Sequence, residues 1–427
     1  MNQHNEFSPN TETNNSYRQG NNTESSINYY SNNIIASHQF AAAMLLQNGH
    51  VVIWGQKEYL GNKTQMDQLD DLVSLSATNN TFIALRANRS IVTWDYTKIP
   101  PEIAKLQDII SLSSTSDVFI ALRADRSVFT LSSYYELPPK IAKLQDVVSL
   151  SSTSSTFIAL RADRSIVAWD RFYNRDQIPP EIATLRDIIS LSATDSAFAA
   201  LRADRSVVTW DRFYNRDQIP PEIATLRDIV SLSVTDSAFA ALRVDRSVVA
   251  WGRDNYGGEI PSEITKLQDI VSLSSTSAAF AALRADRNVV AWGDNNYGGK
   301  IPPEITKLQD IISLNSTNAA FAALRADRSV VVWGNIDEGG LLLPKIAQLN
   351  DIVSLKATQG AFAALRADRS VVAWGRPSTG GMVPPEIAKL KDIVSLDASG
   401  YAFTALRANG KRVGWGSRDT RAQGEYD

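Results

Sequence analysis

The sequence contains no cysteine, and its three histidines, His4, His38 and His50, all lie near the N-terminus. The lack of cysteine excludes a disulfide scaffold, a thiolate zinc site and a cysteine nucleophile. Without histidine beyond residue 50, most of the chain also lacks Ser-His-Asp triads, imidazole acid–base chemistry and histidine-rich metal sites. The remaining carboxylates recur in register with a repeat and form no pair tuned apart by its surroundings. We therefore predict a protein that is not an enzyme and needs no metal or cofactor.

Long apolar runs and an excess of basic charge are also missing. No run approaches the roughly 18–20 residues that a transmembrane helix needs. No basic region followed by an apolar stretch marks a Sec-type signal peptide. The 43 basic and 46 acidic side chains give a net charge of -3, which is not typical of a general nucleic-acid binder. We expect no membrane span, no nucleic-acid partner, and a protein that is cytoplasmic or is delivered without a Sec-type signal.

Residues 1–33 are rich in Asn, Ser and Thr and contain few aliphatic side chains. Such a segment cannot bury enough apolar surface to offset the entropy lost on ordering, so we predict a disordered leader. Two interpretations of it stay open, a solvated leader without a role and an uncleaved secretion or delivery signal. Residues 34–427 form the second predicted region.

That region is built from a repeat whose period is marked by tryptophan. The last six steps between tryptophans are each 41 residues long, and Leu131 fills the one gap in the series. A unit of this size cannot bury a core alone, so neighbouring units must stack. We count ten units, marked in turn by Trp54, Trp94, Leu131, Trp169, Trp210, Trp251, Trp292, Trp333, Trp374 and Trp415.

One unit predicts three strands and a short turn of helix. Segment 187–194 is short, β-branched and bounded by polar residues, and segment 197–202 is almost wholly apolar. Asp204-Arg205 predicts a tight turn that joins the second strand to a third, segment 206–210. The two prolines in segment 219–226 exclude a central strand but suit an extended entry into one helical turn.

A three-stranded unit that repeats about every 40 residues is typical of a β-propeller. The string Val-Val-Ala-Trp-Gly-Asp-Asn-Asn-Tyr-Gly-Gly over residues 289–299 closely resembles the signature of regulator-of-chromosome-condensation (RCC) type repeats. The short period resembles the compact bacterial type with three-stranded blades, as in β-lactamase inhibitor protein II. The resemblance covers about residues 34–418 and implies a propeller fold, but propellers host many functions.

Two departures from the family pattern bear on the ring. Thr194-Asp195 stands where the family has Gly-Gly, which predicts a ring wider than seven blades or an unclosed spiral. The family's Asp-Gly turn has become Asp204-Arg205, and an arginine with positive φ costs about 1 kcal/mol relative to glycine. This substitution, repeated in eight units, indicates either another turn geometry or a gain elsewhere. We predict an all-β propeller of about ten three-stranded blades, with an open β-repeat spiral as the alternative.

The loops that follow the tryptophans differ between units and are rich in Tyr, Phe and Arg in the first half of the chain. Loops on a rigid scaffold often carry binding residues, and these residue types dominate interface hot spots. Segments 170–177 and 211–218 are identical, and a duplication without a binding role is the alternative interpretation of them. The candidate partner-binding residues are Tyr96, Tyr134, Tyr135, Arg171, Phe172, Tyr173, Arg175, Arg212, Phe213, Tyr214 and Arg216.

Eight of the hairpins also carry an arginine pair, such as Arg202 and Arg205, that brackets an aspartate or asparagine. The pairs fit either a solvated Arg–Asp ladder or an arginine-rich rim for an acidic protein or phosphate ligand. For the whole chain we predict a monomeric scaffold that binds a partner protein through one propeller face, with a secreted bacterial effector as one setting. The resemblance implies two alternatives, guanine-nucleotide exchange on a small GTPase and inhibition of an enzyme.

Overall fold

A computed structural model describes residues 34–61, 66, 68–93, 99–115, 117–131, 135–153, 156–170, 178–194, 197–211 and 219–425. The predicted leader lies outside these residues. The described strands form ten antiparallel sheets that follow one another along the chain. This confirms the all-β class and the number of units.

Each sheet, here called a blade, pairs its strands in chain order. The first strands of blades 1 to 10 are Ile35–His38, Leu72–Ala77, Ile109–Ser114, Val147–Ser152, Ile188–Ala193, Ile229–Val234, Ile270–Ser275, Ile311–Ser316, Ile352–Ala357 and Ile393–Ser399. The second strands are Ala41–Leu45, Phe82–Arg86, Phe119–Arg123, Thr156–Arg161, Ala197–Arg202, Ala238–Arg243, Ala279–Arg284, Ala320–Arg325, Ala361–Arg366 and Ala402–Arg407. The third strands are Val51–Gly55, Ile91–Thr93, Val128–Thr130, Ile166–Asp170, Val207–Asp211, Val248–Gly252, Val289–Gly293, Val330–Gly334, Val371–Gly375 and Arg412–Gly416, and blade 10 adds a fourth, Asp419–Gly424.

Short helical turns connect the blades, as the paired prolines predict. The proline at the first helical position has no amide hydrogen to leave unpaired, and its fixed φ suits the turn. The α-helical turns are Pro101–Ala104, Pro139–Ala142, Pro180–Ala183, Pro221–Ala224, Ser262–Thr265, Pro344–Ala347 and Pro385–Ala388. The 3₁₀ turns that follow third strands are Lys57–Tyr59, Asp254–Tyr256, Asn295–Tyr297, Ile336–Glu338 and Pro377–Thr379.

The core lies between blades. In one cluster, Ala240 and Val248 of blade 6 pack against Ile270, Phe280 and Trp292 of blade 7. The second strand is buried on both faces because each face meets a different neighbour, which is why its sequence is apolar without alternation. Buried tryptophan therefore plugs the space between blades, as predicted, and Leu131 is buried at the equivalent position of blade 3.

The ring closes between blade 10 and blade 1. The first strand of blade 1 contacts the first two strands of blade 10, and the fourth strand of blade 10 contacts the third strand of blade 1. The Tyr401 amide donates to the Ser37 hydroxyl at 2.8 Å, and the Trp54 indole donates to the Gly416 carbonyl at 3.1 Å. The same indole-to-glycine bond joins neighbouring blades elsewhere, for example Trp415 to Gly380. These contacts confirm the closed propeller over the open spiral.

First strands of successive blades contact one another, which places them on the inner side of the ring. In blades 2 to 10 the pairing between first and second strands shifts register near the start of the first strand, as between Ile270 and Ser272. Such a β-bulge leaves one extra residue outside the ladder. The extra residue carries an exposed side chain in several blades.

Candidate binding faces

The antiparallel strands give the ring two faces with different chemistry. The loop face carries the 3₁₀ turns that follow the third strands, such as Asn295–Tyr297. The hairpin face carries the turns that join second to third strands, such as 285–287, and the starts of the first strands. On the hairpin face, the described turns present one equivalent segment from each blade, so a residue type kept at one position recurs around the ring.

Glycine residues at the ends of the 3₁₀ turns accept hydrogen bonds from the next blade. Gly298 ends its 3₁₀ turn with φ 92°, and its carbonyl accepts the Trp333 indole N–H at 3.0 Å. A Cβ at Gly298 would lie 2.7 Å from the Phe321 ring, so a side chain is excluded there. Gly257, Gly339 and Gly380 repeat the arrangement. A second bond, from the Thr276 hydroxyl to the Tyr297 carbonyl at 2.9 Å, holds the same loop to its own blade.

The sequence-predicted binding residues fall almost entirely outside the described residues. Only Tyr135 lies within them. It is 8% exposed and packs in a cluster with Ile141 and Trp169, so it offers little surface to a partner. The other candidates lie outside the described part of the chain, namely Tyr96, Tyr134, Arg171, Phe172, Tyr173, Arg175, Arg212, Phe213, Tyr214 and Arg216.

The described loops hold an apolar group that the sequence reasoning missed. Ile336 is 65% exposed, Leu341 63%, Leu343 58% and Met382 51%. Leu341 and Met382 occupy the same position of successive units, where blades 6 and 7 carry Glu259 and Lys300. This replacement of charged by aliphatic residues was the signal available in the sequence. We call Ile336, Leu341, Leu343 and Met382 the aliphatic patch.

An ion pair links the 3₁₀ turn Ile336–Glu338, which follows blade 8, to the loop that follows blade 9. Arg376 donates to a Glu338 carboxylate oxygen at 2.6 Å, and the second carboxylate oxygen is buried without a hydrogen-bond partner. Burial raises the pKa of Glu338, while Arg376 opposes that shift. The pair therefore ties the 3₁₀ turn that contains Ile336 to the loop of the next blade.

On the hairpin face, the first arginine of each pair is held within its own blade. Arg284 donates to Asp269 at 2.8 Å and lies 3.2 Å from Asp286 of the turn. The hydrogen bond to Asp269 raises the pKa of Arg284. Equivalent pairs recur in blades 2 to 10. The Arg–Asp ladder thus exists, but its main bonds lie inside blades.

The turn aspartate is satisfied as well. The Ser247 amide and hydroxyl both donate to Asp245, which lowers the pKa of that carboxyl. In three places a basic residue of the next blade also reaches the turn aspartate, as in the pair of Arg227 with Asp204 at 3.0 Å. These partly exposed pairs each contribute only about 0–1 kcal/mol, so their main effect is to fix the side chains.

The second arginine adopts the backbone conformation that glycine prefers. Its φ is positive at eight positions, Arg89, Arg126, Arg164, Arg205, Arg246, Arg287, Arg328 and Arg369, with values from 61° to 65°. Gly49 of blade 1 and Gly410 of blade 10 occupy the equivalent position with φ 80° and 85°. The turn therefore has a positive φ in the arginine units as in the glycine units, and each arginine is strained by about 1 kcal/mol relative to glycine.

Clusters of metal-ligating side chains and membrane-spanning helices are both absent from the described residues. Within them, no three His, Asp or Glu side chains lie together in a way that could hold a metal ion. No helix in the described ranges is long and apolar enough to cross a membrane.

Comparison with known proteins finds no matching family model and no matching curated sequence. Among solved structures, the chain is similar to the ectodomain of the receptor kinase CR4 from Physcomitrella patens, with TM-score 0.36, 20% identity, and coverage of 61% of this chain and 70% of that one. It is similar to Prp20p of Saccharomyces cerevisiae, a yeast RCC1 whose binding to Gsp1p and histones has been described, with TM-score 0.35, 22% identity and coverage of 56% and 73%. The computationally designed protein Ika8 matches with TM-score 0.37, 15% identity and coverage of 72% and 96%.

These likenesses are too distant to bear on activity. The architecture rests instead on the strand pairings and blade contacts described above. The similarity to the compact bacterial repeat type stays a prediction from the sequence.

Proposed function

We propose that the protein is a non-enzymatic scaffold that binds a partner protein through the loop face. The observation that carries the proposal is the aliphatic patch. Ile336 lies on a 3₁₀ turn of the loop face, and Leu341 and Met382 lie just beyond the glycines that end two successive turns. Large exposed apolar groups of this kind are typical of protein-binding surfaces.

Rigidity supports the same function. The loops are held by the indole-to-glycine bond, by the threonine hydroxyl and by the Arg376–Glu338 pair. A preorganised loop loses little conformational entropy on binding, which leaves more of the contact energy for affinity. The predicted Tyr, Phe and Arg residues that lie outside the described part of the chain are further candidates for contact with the partner.

Affinity capture on the purified full-length chain, followed by identification of what it retains, provides the partner. We expect Ile336→Ser with Leu341→Ser to weaken that partner's binding at least tenfold, because both side chains lose apolar contact area. Val244→Ser, an exposed aliphatic residue of a hairpin turn on the opposite face, is the control and should leave the affinity unchanged. Equal affinity of the loop-face variant and the unmodified chain would overturn the proposal.

The predicted loop residues are tested separately with Arg171→Ala, Phe172→Ala and Tyr173→Ala. If the surface extends to blade 4, this variant also loses affinity while keeping its thermal stability. Unchanged capture would confine the binding surface to the later blades.

Guanine-nucleotide exchange and enzyme inhibition are the alternatives that the family resemblance implies. Nucleotide release from a panel of small GTPases tests the first. If the unmodified chain accelerates release and the variant with Ile336→Ser and Leu341→Ser does not, the protein is an exchange factor that acts through the loop face.

A further inference from the structure

The hairpin face carries a series of arginines whose side chains make no contribution to the fold. Seven of the second arginines are exposed and make no side-chain hydrogen bond or ion pair with the described part of the chain, namely Arg126, Arg164, Arg205, Arg246, Arg287, Arg328 and Arg369. Their neighbours on the same turns are fully engaged, as Arg284 and Asp286 show. The ring of these seven residues is called the arginine ring below.

Folding does not require arginine at these positions. The carbonyl of Arg287 accepts the Ile311 amide of the next blade at 3.1 Å, but Gly49 does the same for Leu72 at 3.1 Å. The backbone contact therefore works with glycine and without strain. Other positions of the turn have diverged, since Ala203 is Val244 in the next unit and Ser247 is Asn288 in the one after. The strained arginine has nevertheless been kept in all seven units of the arginine ring, which indicates a use for its side chain outside the chain.

Exposed aliphatic side chains lie directly inside the arginine ring. Each follows the residue whose amide binds an arginine-ring carbonyl: Val271 follows Ile270, which is bonded to Arg246 at 3.0 Å. Their side chains are 45–52% exposed at the bulge of the first strand. The set comprises Ile189, Val230, Val271, Ile312, Val353 and Val394.

The charge pattern selects between anionic partners. The turn aspartates lie beside the arginine ring and remain partly exposed, with 38% of the Asp245 side chain and 50% of the Asp327 side chain accessible. Hydrogen bonds from Ser247 and Ser329 lower the pKa values of these carboxyls, so they carry negative charge at neutral pH. A uniformly anionic bilayer would be repelled by them. A protein surface can instead place carboxylates opposite the arginines, whose planar forks bind carboxylate through two hydrogen bonds.

We propose that the hairpin face is a second docking surface, which binds a partner protein through carboxylates that meet the arginine ring and apolar side chains that meet the inner aliphatic residues. This surface is separate from the loop face and does not depend on the aliphatic patch. The arrangement follows a common interface pattern, with an apolar centre and a charged surround.

The test uses the full-length chain and a fluorescent peptide of repeated Glu-Glu-Leu units, with Gln-Gln-Leu as the uncharged peptide. We expect saturable binding of the acidic peptide that weakens at high salt and no binding of the uncharged one. Arg287→Gly with Arg328→Gly should weaken the acidic peptide at least about fivefold, because two rim charges are lost. Since glycine relieves the backbone strain, the same variant should melt no lower than the unmodified chain.

The matched control removes the same charge from the other face, with Arg253→Ala and Lys300→Ala, both exposed on the loop side. It should bind the acidic peptide as the unmodified chain does. Ile336→Ser with Leu341→Ser should also bind it normally, so a failure of the loop-face function and a failure of this surface give different results.

Three outcomes would overturn the proposal. One is that the acidic and the uncharged peptide bind equally well, or that neither peptide binds. Another is equal loss of affinity in the hairpin-face and loop-face charge variants, which would indicate a nonspecific effect of net charge. The third is tighter binding to phosphatidylcholine vesicles containing phosphatidylserine than to the peptide, which would assign the arginine ring to a membrane surface.

Discussion

His38 is the only histidine within the described residues that is buried, and its side chain lies at the contact between blades 1 and 2. Its ring packs against Phe82 at 4.8 Å and Tyr59 at 5.5 Å between centroids, and its Nε2 atom has no hydrogen-bond partner. Burial lowers its pKa from 6.5 to about 4. The residue therefore stays neutral in the folded protein at neutral pH. The composition excluded histidine chemistry from most of the chain. For His38, only the packing of its imidazole against Phe82 and Tyr59 indicates a structural role.

Acid should destabilise the protein through His38. Between about pH 4 and 6.5 the unfolded chain binds the proton that the folded chain excludes, so stability is lost as the pH falls through this window. At about pH 5.5 the loss should be about 1.2 kcal/mol relative to pH 7. Urea titrations of the unmodified chain and of His38→Gln measure it. If the two show the same pH dependence over this window, His38 is not the cause.

Gly298 tests the contact between loop and blade. Gly298→Ala would put a Cβ against Phe321 at a backbone φ of 92°, so we expect a loss of at least about 2 kcal/mol in the free energy of unfolding. Gly410→Ala is the matched control, because its φ is 85° but the nearest atom is the flexible Gln47 side chain. Similar losses in the two variants would show that only the backbone conformation matters there.

Each blade combines elements that the sequence predicts well with a turn that it predicts only in part. The three strands, the proline-led helical turn and the burial of Phe280 and Trp292 follow from β-branched and apolar patterning within one unit. For the turn at Arg287 the sequence left open another turn geometry or a gain elsewhere, because local sequence does not reveal whether strain is tolerated. The bonds that hold it, from Arg284 to Asp269 and from Ile311 to Arg287, join residues distant in sequence.

The hairpin turn offers a stabilising substitution. Arg328→Gly should raise the free energy of unfolding by about 0.5–1 kcal/mol, because it relieves the backbone strain. The greater conformational entropy of glycine in the unfolded chain offsets part of this gain. Arg328→Ala removes the same charge but keeps a Cβ at positive φ, so it should give no gain. Chemical denaturation of both variants measures the difference. A gain for alanine as large as that for glycine would attribute the effect to charge.

At the scale of the molecule, ten units and their order could be counted from tryptophan spacing, but closure could not. Closure depends on contacts between residues over 360 positions apart, such as Ser37 with Ser399 and Trp54 with Gly416. The candidate site was predicted least well. Exposure at Ile336 and Leu341 is set by the path of the loops, and the sequence shows only that Leu341 replaces the charged Glu259 and Lys300 of earlier units.

Closure makes the first blade energetically equivalent to the others. Trp54→Ala should cost about 3–5 kcal/mol, as much as Trp333→Ala, because each indole fills a space between two blades and donates to a glycine carbonyl. Thermal and urea unfolding of the two variants compare them. In an unclosed spiral Trp54 would lie at a free end, and its loss would cost much less.

The most direct measurement uses the absence of cysteine. The hydroxyl oxygens of Ser37 and Ser399 lie 3.0 Å apart, across the junction of blades 1 and 10. Ser37→Cys with Ser399→Cys should therefore form an intramolecular disulfide quantitatively under mild oxidation, visible as a faster-migrating monomer on a nonreducing gel. Ser37→Cys with Ser274→Cys, which pairs blade 1 with blade 7, should form none. Failure of the first pair to crosslink, or equal crosslinking by both pairs, would contradict a closed ring of ten blades.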